Sequence, residues 1–81
     1  MPKVPKSPDA RAREVEMIRS QLDDLGLPGA DLQPIHAALD EFAKEGVGVT
    51  QAWKLPGFGV RITVLLSTQP HIISYAKISR L

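Results

Sequence analysis

Eighty-one residues make one small domain, whose single core can be only modestly stabilising. With 43% hydrophobic and 23% charged residues the chain is globular rather than disordered. It has no cysteine, which excludes a disulfide framework, a thiolate nucleophile and a cysteine-ligated metal, and the apolar run Val64 to Leu66 is far too short to span a membrane. No hydrophobic signal core marks the N-terminus, so the chain reads as soluble and cytoplasmic.

Residues 1–6, MPKVPK, carry two prolines and two lysines with no apolar periodicity. They read as a flexible basic arm or a very short edge strand, with residues 7–81 as the single domain. Ser7 is a natural N-cap, Pro8 suits the first helical position and Asp9 the positive end of the helix dipole. Val15, Ile18, Leu22 and Leu25 recur at helical steps, and Gly26, Leu27 and Pro28 form a stop, predicting a helix over Pro8 to Leu25. Arg19 and Asp23 stand at an i,i+4 spacing that suits an ion pair.

A short loop, Gly26 to Ala30, leads to a second helix capped by Asp31 or Gln33, with Pro34 in its first turn. Leu32, Ile35, Leu39 and Phe42 form its buried stripe, and Gly46 ends it. The short connection predicts an antiparallel helical hairpin. His36 sits beside the stripe as a packing residue at its boundary. No second His, Asp or Glu stands at a metal-ligand spacing around it, so no metal and no cofactor are expected.

The rest of the chain reads as three strands. Val49, Gln51, Trp53 and Leu55 alternate with Thr50, Ala52 and Lys54, so Trp53 packs under the helices while Lys54 points away with Arg61. Pro56 to Gly59 is a tight turn, and its lone GxG lacks the following helix and the Lys-Ser/Thr of a phosphate loop. Strands over Val60 to Leu66 and Ile72 to Ile78 flank a turn at Thr68-Gln69-Pro70. Pairing Leu66 with Ile72 puts Ile72, Ser74, Ala76 and Ile78 on the core face with Val60, Ile62, Val64 and Leu66. The same register gathers His71, Ile73, Tyr75 and Lys77 on the other face with Arg61 and Thr63. Small Ser74 and Ala76 mark where a helix lies close.

Charge divides the chain. Asp9 to Glu45 holds all nine acids and nets −5, whereas Val47 to Leu81 has no acid and carries +4. The formal net charge of +1 conceals this partition. A basic sheet face with aromatics beside it is an electrostatic footprint for a phosphate backbone.

The expected fold is therefore α+β, an N-terminal helical hairpin packed on a three-stranded antiparallel meander. This order, with AWKLPGFGVRITVLL, a turn and IISYAKISR, resembles the RelE/ParE/HigB superfamily of toxins from bacterial toxin–antitoxin systems. The resemblance covers roughly Ala10 to Leu81. It implies a growth-arresting toxin, with a ribosome-dependent endoribonuclease as one form and a gyrase-directed binder as another, and a cognate antitoxin protein as partner. By the resemblance, Arg61 is the arginine that stabilises charge on the scissile phosphate and Arg80 the basic residue closing the last strand. Tyr75 or Lys77 stands where an aromatic or basic group assists, and Lys54 matches a basic residue of the preceding strand. Such cleavage needs an activated ribose 2′-hydroxyl and cations around the phosphorane oxygens. His71, at a turn, is a weaker candidate for acid or base work.

Two other readings stay open. In one, the chain is a small non-enzymatic inhibitor, of phage or plasmid origin, that offers its sheet face or an edge strand to a protein or nucleic acid. In the other, exposed Leu65, Ile73 and Tyr75 form a sheet-to-sheet homodimer contact.

Overall fold

The computed structural model describes residues 4–81, so the expectation of a flexible arm falls outside the described residues for its first three positions. In chain order come α1 (Pro8–Asp23), α2 (Gly29–Glu45), β1 (Val49–Leu55), a 3-10 turn (Pro56–Phe58), β2 (Val60–Leu66) and β3 (Tyr75–Arg80). The strands form one antiparallel sheet in the order β1-β2-β3, and the helical hairpin packs on one of its faces. The architecture is α+β, as the sequence predicts.

Helix α1 begins as its residues dictate. The Ser7 hydroxyl accepts a hydrogen bond from the Ala10 N–H at 3.2 Å, and Pro8 occupies the first turn. Val15, Ile18 and Leu22 are buried. The helix ends at Asp23, two residues short of the expected Leu25. The Leu25 and Gly26 N–H groups turn back to the carbonyls of Leu22 and Asp23, both at 3.1 Å, so the last turn tightens and releases the chain early. The expected Arg19–Asp23 pair does not form. Arg19 reaches α2 instead, with Nη1 at 2.8 Å from His36 Nδ1 and Nη2 against the Asp40 carboxylate, while its Nε stays 4.0 Å from Glu16 on its own helix.

Helix α2 starts earlier than either expected cap, at Gly29 after Pro28. Pro28 has no capping side chain, but its carbonyl accepts from the Asp31 N–H at 3.1 Å. Pro34 consequently lies inside the helix, on its exposed side. Leu32, Ile35, Leu39 and Phe42 are buried, and Gly46 closes the helix in the left-handed region, its N–H bonded to the Phe42 carbonyl at 3.0 Å.

In the sheet, Val49 pairs with Leu66 and Leu55 with Val60, which aligns Val49, Trp53 and Leu55 with the buried face of β2. Gly48, just before β1, lies so close to β2 that a Cβ there would stand 2.8 Å from the Leu66 carbonyl oxygen. Ile62, Val64 and Leu66 complete the core with the helical stripes and Ala76.

The second hairpin departs from its expected register by two residues. Leu65 pairs with Tyr75 and Val64 with Ala76, so residues 67–74 form a loop and β3 starts at Tyr75 rather than Ile72. Polar side chains explain the difference. The Ser74 hydroxyl accepts from the Ser67 N–H at 3.0 Å, and the Ser67 hydroxyl accepts from the Gln69 N–H at 3.1 Å. Backbone donors that would extend the ladder are taken within the loop. An even slip preserves the alternation, so Ser74 and Ala76 are still buried and Tyr75 and Lys77 still face away. The close approach of α1 is visible where Gln21 Nε2 donates to the Ala76 carbonyl at 3.1 Å.

Lys6, expected in a flexible arm, is buried at 8% exposure. Its ammonium donates to Glu14 Oε1 and to the Ser67 carbonyl, each at 2.8 Å, and to the Ile72 carbonyl. Its own N–H donates to the Thr68 carbonyl at 3.0 Å. Three acceptors arranged around one ammonium satisfy a charge that burial would otherwise expel, and they pin the loop to α1.

Candidate nucleic-acid interface

The face of the sheet turned away from the helices is built from three cross-strand rows. Lys54, Arg61 and Ser79 form one row, Ala52, Thr63 and Lys77 the next, and Thr50, Leu65 and Tyr75 the third. Opposed residues in such a ladder have Cβ atoms about 5 Å apart, and rows on one face follow each other at about 7 Å. Lys54, Arg61 and Lys77 therefore converge on Thr63 at one end of the face. Tyr75, 48% exposed, and half-buried Leu65 stand at the other, with Ile73, 71% exposed, in the loop just before Ser74 and Tyr75.

Local sequence sets each position. The Pro56–Phe58 turn, closed by left-handed Gly59, makes the hairpin short enough to bring Lys54 opposite Arg61. Strict alternation in β2 sends Arg61, Thr63 and Leu65 outward because Ile62, Val64 and Leu66 are held in the core. Among the described residues, Lys54, Arg61 and Lys77 form no ion pair, and no acid lies anywhere from Val47 to Leu81. Their charge is offset only by solvent.

Of the sequence-predicted residues, Lys54, Arg61, Lys77 and Tyr75 are brought to this one face. Arg80 is not, because it pairs with Val60 and so belongs to the helix-covered side, where it is exposed at the strand end. His71 lies exposed in the 67–74 loop, and His36 is held by Arg19 in the helical layer. Ser79 beside Arg61 is a site neighbour that the charge pattern alone does not single out, although strand alternation beyond Lys77 points to it. Two opposed cations with hydroxyls at Thr63 and Ser79 make a surface suited to the oxygens of a phosphodiester, donating without accepting a proton.

At the Tyr75 end, the sheet gives way to an open groove of about 310 Å³ between the start of β1 and the loop after β2. Thr50 and Leu65 reach it from the outer face, and Ser67, Gln69 and Ile72 wall it from the loop. No helix is long and apolar enough to cross a membrane among the described residues. No protein-family model, curated protein or solved structure matches this chain.

Proposed function

We propose that this chain binds an RNA backbone across its outer sheet face and acts as a growth-arresting toxin of the RelE/ParE-like kind, neutralised by a cognate antitoxin. The observation that carries the reading is the placement of Lys54, Arg61 and Lys77 on one acid-free face with no ion-pair partner among the described residues. Phosphate neutralisation relieves the mutual repulsion of those cations and releases counterions from the nucleic acid. In a cleaving toxin, Arg61 and Lys54 stabilise the charge on the pentavalent phosphate and Lys77, one row along the same face, assists. Induced expression in bacteria, compared with Arg61→Ala and combined with mapping of RNA 5′ ends, tests this. Arrest with new RNA ends that vanish in the variant supports the nuclease; absence of arrest with soluble protein present sinks the toxin.

One observation favours a second reading, a non-enzymatic binding protein. The outer face offers cations and hydroxyls but no carboxylate or imidazole to accept the 2′-hydroxyl proton. Arrest without new RNA ends, or RNA binding without arrest, selects it.

A further inference from the structure

The geometry points to a base-recognition pocket at the loop end of the sheet, where one unstacked nucleobase of a bound RNA strand is held while its backbone runs toward Arg61. This rests on the reading of the outer face as an RNA interface, and it adds what that reading lacks, a means of telling one sequence from another. Phosphate contacts position a strand but carry no sequence information; base edges do.

Three features support it. The first is size, since an open groove of about 310 Å³ is large enough for one base laid against its floor. The second is lining. Thr50, Ser67 and Gln69 offer hydroxyl and carboxamide groups, while Leu65 and Ile72 supply apolar walls for a ring face. Neutral donors and acceptors beside apolar surface suit a base and do not suit a second phosphate. The exposed cations lie elsewhere, with Arg61 four residues along β2 from Leu65, about 13 Å away, and the one ammonium behind the wall, Lys6, is buried and paired with Glu14.

The third feature is rigidity. The loop wall is tied from behind by the Lys6 ammonium on the Ser67 and Ile72 carbonyls, and from within by the Ile72 N–H bonded to the Gln69 carbonyl at 3.2 Å. A wall braced this way keeps its shape without a ligand, so little ordering cost is left for binding. Tyr75, paired with Leu65 on the same face, provides a ring on which the neighbouring base can stack.

The test is fluorescence anisotropy with labelled RNA hexamers, one homopolymer of each base, on the wild type, on Thr50→Phe and Gln69→Ala, and on Lys54→Ala/Arg61→Ala. Wild type is expected to prefer one homopolymer by about tenfold, in the range of one good base contact. Thr50→Phe, which fills the pocket, and Gln69→Ala should each flatten that preference while keeping the salt dependence of binding. The double cation variant should weaken all four RNAs together and reduce the salt slope. Equal wild-type affinity for all four homopolymers, or a preference untouched by both pocket variants, overturns the pocket and leaves the interface standing. No RNA binding by folded wild type overturns both.

Discussion

Lys54 and Arg61 stand directly opposite each other across the β1–β2 ladder, two like charges in the position where cross-strand side chains interact most strongly. Folding therefore works against this pair. Replacing Lys54 with Thr, a good strand residue, should raise stability by about 0.2–1 kcal/mol at low ionic strength. The gain should shrink at about 1 M salt, where screening acts within about 3 Å. Urea unfolding at both salt concentrations, run beside RNA binding, reads the trade: the variant should be more stable and bind less. A variant that is less stable at low salt contradicts the repulsion.

Lys6 makes the opposite case. Its buried ammonium satisfies Glu14 and two loop carbonyls, so Lys6→Met strands a carboxylate and two acceptors. A loss of about 3–5 kcal/mol is expected, as when one partner of a buried pair is removed. Glu14→Gln keeps an acceptor and should cost less. Denaturation midpoints give the ranking, and amide exchange over residues 67–72 should accelerate in Lys6→Met before it does elsewhere.

Three glycines separate steric from conformational demand. A methyl at Gly48 would meet the Leu66 carbonyl at 2.8 Å, so Gly48→Ala forces β1 and β2 apart and should cost about 1–3 kcal/mol. At Gly26 nothing lies within 4 Å but φ is +67°, so Gly26→Ala should cost about 1–2 kcal/mol from the backbone alone. Gly29 has free space and opens α2, and Gly29→Ala should stabilise by about 0.4–1 kcal/mol. Thermal melts should put Gly29→Ala above the wild type and the other two variants below it, and a stable Gly48→Ala would refute the close approach.

The contacts between α1 and α2 divide unequally between polar and apolar groups. Arg19, with His36 and exposed Asp40, lies at the solvent edge, and Arg19→Ala should cost under about 1 kcal/mol. Phe42 is fully buried beneath the same hairpin, and Phe42→Ala should cost about 3–5 kcal/mol. In a domain of this size the second variant is expected to be largely unfolded at 37 °C by circular dichroism, and the first to be native.

Alternation was the most legible property of the chain. The bounds of β1 and β2 and the face taken by Lys54, Arg61, Tyr75 and Lys77 all follow from which neighbours are apolar. Register was harder to read. Ile72 looks like a strand residue, and only the hydroxyls of Ser67 and Ser74, acting across the loop, delay β3 to Tyr75. The start of α2 was hidden because a proline at position 34 suggests a first turn, whereas packing of Leu32 into the core carries the helix back to Gly29. Burial of Lys6 had no local signal at all, since its acceptors come from Glu14 and from a loop some sixty residues away. The groove was invisible for the same reason, being formed where β1 and the β2–β3 loop meet.

The charge partition between Asp9–Glu45 and Val47–Leu81 sets helices of one sign over a sheet of the other. Such a molecule carries an electric dipole running through its thickness, and near a polyanion it experiences a torque before it makes any contact. Any polyanion approaching it is met sheet-first, a bias that added salt erases. Two copies of the chain meet the reverse condition: their outer faces repel, and the orientation the field favours sets one molecule's helices against the other's sheet.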